Sequence, residues 1–164
     1  MLKQPKIELK NLKYLASLSE ETPAYTATIY VNGVAFSEVS NSGHGGGDSY
    51  HGLKNKAPNA IWGDIKELDG LIAATFPRHE KYDIAESLEC LCHGLVYDEM
   101  EKKRFKALLG RNVVMLRAKD FAIVSVKGKK TPQLIETAKK QWPDNIIMNC
   151  LAFDEAFQLF KKHG

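Results

Sequence analysis

Ile7 and Leu9 alternate with Glu8 and Lys10 in KIELKNLKYL, the two-residue period of a half-buried strand, before LSEETP breaks the pattern. AYTATIYVNGVAFSEVS carries the strongest local signal. Tyr25, Ala27, Ile29 and Val31 alternate with Thr26, Thr28 and Tyr30, and Asn32-Gly33 then precedes a second extended run. Asn-Gly accepts φ > 0 at both central positions of a type I′ turn, so the spacing predicts an antiparallel hairpin. The period then lengthens. Ile61, Ile65, Leu68 and Ile72 recur at helical spacing up to Pro77, and Ile84, Leu88, Leu91 and Leu95 mark one face of a second helix over about Asp83 to Leu109.

NVVMLR and FAIVSV, separated by AKD, are short runs rich in β-branched residues and predict a second hairpin. Thr131-Pro132 reads as N-cap and first helical residue of TPQLIETAKKQW, which Pro143 stops. NIIMN is a short strand, and FDEAFQLFKK a closing helix with Phe153, Ala156, Phe157 and Phe160 on one side. The expected class is α+β. An antiparallel sheet is built from the N-terminal strand plus hairpin and from the C-terminal hairpin, with about four helices between and after them. At 164 residues, without repeats or long linkers, the chain is expected to form a single globular domain over 1–164.

Composition adds two constraints. No run is apolar enough to span a membrane, MLKQPKIELK lacks the apolar stretch of a secretory signal, and Cys90, Cys92 and Cys150 show no disulfide or zinc-ribbon spacing. A soluble protein in a reducing cytosol is expected. Charge is uneven. Residues 1–82 carry nine Lys/Arg against nine Asp/Glu, whereas residues 102–130 carry ten basic residues against Asp120 alone. Such a segment favours a polyanionic partner, although its first part also complements a helix C-terminus.

The stretch NSGHGGGDSYH, residues 41–51, holds the candidate chemistry. As an anion cradle, Gly43, Gly45, Gly46 and Gly47 free backbone N–H groups to converge, with Asn41, His44 and His51 adding side-chain donors. As a plain connector it joins strand to helix. It is neither a Walker loop nor a dinucleotide fingerprint. His44, Asp48 and His51, with Glu20 or Glu21, could alternatively bind a metal, or the two histidines could act as a general acid/base pair. Cys90 and Cys92 stand about 200° apart around a helix, so they cannot share an ion and read as buried small hydrophobes. In the basic segment Arg104, Arg111, Arg117 and Lys119 are the phosphate-binding candidates. Phe105 and Phe121 read as core there, which leaves little aromatic surface for stacking bases.

IELKN, SEET, the NG hairpin, the N-x-G-x-G-G stretch followed by His51, and the closing FDEAFQLF together resemble a group of small uncharacterised proteins common in bacteriophage and plasmid genomes. That resemblance implies a mobile-element accessory protein in the bacterial host cytosol, with counter-defence among the roles such proteins take. With no nucleophile–base spacing and no cofactor fingerprint, the expectation is binding without turnover. The ligand would be a nucleotide, a cyclic-nucleotide signal or nucleic acid. The alternatives are an inhibitor of a host defence enzyme or a small His-dependent phosphodiesterase. A homo-oligomer is compatible with either.

Overall fold

The computed structural model describes residues 2–53, 58–78, 83–128 and 130–164; the side chains of 58–62 are likewise not described. Ile61 and Lys129 therefore lie outside the described side chains. The class is α+β, with every strand pairing antiparallel. The strands form two sheets: a four-stranded one in the order β1-β2-β3-β4 and a three-stranded one in the order β6-β5-β7. Residue contacts divide the chain into two compact units, Met1–Glu99 and Met100–Gly164.

The first unit holds β1 (Ile7–Tyr14), β2 (Tyr25–Val31), β3 (Val34–Asn41), β4 (Ser49–His51) and helix α1 (Pro58–Thr75). Asn32 and Gly33 take φ of 52° and 84°, and Val31 faces Val34 across the two-residue turn the sequence predicts. A bulge between Ile29 and Tyr30 resets β3, so Ser37, Val39 and Asn41 lie opposite Ile29, Ala27 and Tyr25 and all six are buried. Ile65, Leu68 and Ile72 of α1 are buried as their spacing implies.

Helix α2 (Leu88–Arg111) begins later than its apolar period suggests. Ser87 caps it, accepting from Cys90 N through Oγ at 3.2 Å, while Asp69 Oδ1 accepts from Leu88 N at 2.7 Å. Asp83 and Ile84 consequently fall before the helix, and Ile84 is exposed. Cys92 is buried as expected, but Cys90 is exposed, because the 200° that separates them puts one inside and the other outside.

In the second unit, β5 (Val113–Leu116) lies between β6 (Ile123–Val126) and β7 (Ile146–Ile147). All four β5 residues are buried, which explains a run without alternation. Val113 and Met115 join a core with Ala138 of α3 (Pro132–Gln141) and Ile147. Val114 and Leu116 join the opposite one, with Phe105, Met148, and Ala156 and Phe157 of α4 (Phe153–His163). Phe105 stacks on Phe160 with ring centroids 4.5 Å apart. Thr131 caps α3, its hydroxyl accepting from Leu134 N at 3.1 Å, with Pro132 following. The side chain of Asn149 closes α2: its Nδ2 donates to the carbonyls of Leu109 and Asn112, and its Oδ1 accepts from Val114 N.

Phe121 departs from expectation. It is 59% exposed, takes φ 54° in the β5–β6 turn, and lies stacked against His163 rather than in the core.

Candidate functional site

Asn41 ends β3 on its buried face and organises the glycine-rich loop. Its Oδ1 accepts from Thr22 Oγ1 at 2.8 Å and Gly43 N at 2.9 Å; its Nδ2 donates to Gly46 O and Asp48 Oδ1, both at 3.0 Å. Those four bonds use the full capacity of the amide. Asn41 is therefore the internal brace of the loop, with no donor left for an anion.

Gly43 is buried at φ 90°, and a Cβ there would stand 2.1 Å from Leu18 O. Its carbonyl accepts the N–H groups of Glu20, Glu21 and Thr22, drawing the β1–β2 connection against the loop. Gly45, at φ 81°, donates its N–H to Thr22 Oγ1 at 3.4 Å and faces Glu21. Gly46 has open space around its α-carbon, and Gly47 is near Glu89, at ordinary van der Waals distance. The exposed His44 Nδ1 is 3.2 Å from Glu20 Oε2. His51 is in β4 opposite Glu38, and its carbonyl accepts from Ser37 Oγ at 3.1 Å. The loop thus spends the Gly43 and Gly45 donors internally, and carboxylates of Glu20, Glu21 and Glu89 approach it. An anion finds an unfavourable field there.

The centre of this architecture is Asp48. Its carboxylate has no solvent exposure and accepts from Tyr25 Oη at 2.5 Å, Asn41 Nδ2 at 3.0 Å and His93 Nε2 at 3.0 Å. Tyr25 and Asn41 reach it as cross-strand partners, and His93 from α2. Among the described residues, Asp48, Glu89 and His93 bring three ligand-type atoms within 4.8 Å of one another. Glu89 and His93 are one helical turn apart, on one face of α2. Glu89 itself has no hydrogen-bond partner among the described residues, whereas Asp48 is held from three sides.

The cluster is electrostatically one-sided. The hydrogen bond to Asp48 raises the His93 pKa, against burial, with the charges of Asp48 and Glu89 adding to the rise. Burial, and then the hydrogen bond to Asp48, push the Tyr25 hydroxyl far above the phenol range, so it remains a donor. Burial also raises Tyr50 and Cys92, with Asp48, Asp69 and Glu89 contributing. Burial among these carboxylates disfavours the Cys92 thiolate, the form that acts as a nucleophile.

The metal set read from the sequence, His44, Asp48 and His51 with Glu20 or Glu21, is not what converges: of these only Asp48 enters the three-residue cluster, and its companions lie on a helix more than forty residues away in the chain. The i, i+4 pair Glu89 and His93 was the signal available beforehand, and the nearby cysteines obscured it.

In the second unit, Arg104 and Arg111 are exposed on α2, seven residues and about 10 Å apart along one face. Neither has a carboxylate partner among the described residues. Lys103 and Lys106 are exposed beside them. Arg117 differs: Nε and Nη2 donate to the two Asp120 oxygens at 2.8 and 2.5 Å. The register of β5 with β6 places Arg111 and Lys127 beyond one end of the hairpin and Arg117 and Lys119 beyond the other, so the basic residues form two groups.

No family model matches the chain, and neither curated proteins nor solved structures give a match.

Proposed function

We propose that this chain is a non-catalytic binding protein whose second unit engages the phosphate backbone of nucleic acid. The observation that carries the reading is the exposed run Lys103, Arg104, Lys106 and Arg111 of α2, in which neither Arg104 nor Arg111 has a carboxylate partner among the described residues. A convex cationic helix face supplies backbone contacts without reading base edges. The resemblance of the N-terminal segment to phage and plasmid accessory proteins supports a setting in which foreign or host nucleic acid is at hand. Free nucleotides fit less well, because the loop that would cradle one uses the Asn41 amide and the Gly43 and Gly45 N–H groups internally and gathers carboxylates.

Fluorescence anisotropy with labelled single- and double-stranded DNA and RNA, over a salt series, tests this. Affinity is expected to fall steeply and linearly on logarithmic axes as salt rises, and the nucleic acid to be recovered intact. The double variant Arg104→Glu/Arg111→Glu, checked for folding by circular dichroism, is expected to lose binding at every salt concentration. Absence of binding at low salt, or full binding by the double variant, overturns the reading.

A further inference from the structure

We propose that Asp48, Glu89 and His93 form a binding site for one divalent transition-metal ion, of the kind that accepts mixed carboxylate and imidazole ligands, such as Zn²⁺ or Mn²⁺. All three residues belong to the first unit, and none of them is among the basic residues Lys103, Arg104, Lys106 and Arg111.

Four features carry the inference. The ligand-type atoms already lie within 4.8 Å of one another, close to the separations found around a single ion with bonds of about 2.0–2.2 Å. Their chemistry is mixed: two carboxylates and one imidazole, from a loop and from successive turns of α2, which is a set that suits Zn²⁺ or Mn²⁺. The charges balance, since two carboxylates and a neutral imidazole around a dication sum to zero in a site where Asp48 is wholly shielded from water. Finally, Asp48 has the outer support expected of a ligand. Tyr25 Oη holds one oxygen and Asn41 Nδ2 the other, which fixes the carboxylate before any ion arrives.

On binding, His93 takes the neutral form protonated on Nδ1: an imidazolium loses its Nε2 proton to solvent, a neutral ring carries its single proton on Nδ1 instead, and in either case the Nε2 lone pair faces the ion, while Glu89 gains the partner it lacks among the described residues. Gly47 passes over the Glu89 carboxylate, where a Cβ would stand 3.5 Å from Oε2, so the glycine-rich loop roofs the site. Water completes the coordination shell.

The test uses the full chain carrying Cys90→Ser and Cys150→Ser, because these two thiols are exposed and would take zinc on their own. Calorimetric titration with ZnCl2 and with MnCl2 is expected to show one ion per chain for at least one metal and a matching rise in melting temperature that EDTA reverses. Glu89→Gln and His93→Gln are each expected to weaken that affinity about tenfold or more, while His51→Ala leaves it unchanged. With Mn²⁺, paramagnetic broadening is expected first at the amides of Asp48 and His93. No saturable binding of either ion, or affinity that survives both Glu89→Gln and His93→Gln in folded protein, overturns the proposal. Neither result depends on nucleic acid, so this site and the proposed function fail or stand separately.

Discussion

Tyr25 and Asn41 face each other across the β2–β3 pair and hydrogen-bond the same carboxylate, that of Asp48. The last rung of a sheet thereby fixes a loop. Asn41→Ala leaves the buried Gly43 N–H without its acceptor and Asp48 Oδ1 with His93 Nε2 alone, and is expected to destabilise the protein by about 2–3 kcal/mol in urea unfolding. Asn41→Asp is expected to be at least as harmful, because it sets a second carboxylate against Asp48. A loss under about 0.5 kcal/mol in both would remove Asn41 from the centre of the loop.

The four glycines are expected to separate on substitution by alanine. At Gly43 the new methyl meets backbone, 2.1 Å from Leu18 O, at φ 90°, which calls for a loss of about 2–3 kcal/mol. Gly45 also has positive φ, but the obstacle is the far end of the Glu21 side chain, which can rotate away, so about 1 kcal/mol is expected. Gly46→Ala and Gly47→Ala should melt within a degree or two of the unsubstituted protein. Equal melting temperatures for all four variants would mean that the loop has no defined conformation.

Arg117 is expected to matter less for nucleic-acid binding than Arg104 or Arg111, because Asp120 holds its guanidinium. The Arg117 hydrogen bond keeps the Asp120 carboxyl below its ordinary range. The contribution of this pair to stability is therefore present above the unfolded carboxyl pKa and is lost as pH falls through the lower folded value. Carboxyl-carbon NMR titration should show Asp120 moving back toward the ordinary range in Arg117→Ala. An unchanged titration would show that the pair is not formed in solution.

Phe105 and Phe121 offer a paired comparison. Phe105→Ala empties a position that is fully buried and ringed by Phe153, Phe157 and Phe160, and should destabilise the second unit by about 3–5 kcal/mol. Phe121→Ala loses only an exposed stack on His163 and should change stability by under about 1 kcal/mol. Denaturant midpoints of similar size for the two variants would contradict the placement of one inside and the other outside.

Much of this architecture is legible in the sequence because it follows from short-range periods. The Asn32-Gly33 hairpin, the buried positions of α1 and the Thr131-Pro132 helix start each depend on neighbours a few residues away. The β5 run VVML was readable as a strand, but not as one buried on both faces. Phe121 misleads because the apolar run FAIVSV begins before β6, in a turn where Phe121 takes positive φ. The Asp48 cluster is hidden for another reason: its partners come from β2, β3 and α2, and Asp48 and His93 are forty-five positions apart. Asn41 gave a hint that is clear only in retrospect, a polar residue continuing the inward set of an otherwise half-buried strand.

The carbonyl of Gly43 receives three amide protons from the Glu20–Thr22 segment, so two loops that are remote in sequence are fastened at a single atom. In exchange kinetics, a fastening of this kind acts as one latch. The amides of Glu20, Glu21 and Thr22 become available to solvent deuterium only when the glycine-rich loop lifts, and they should exchange at a common rate that also governs how often the segment is exposed to a protease.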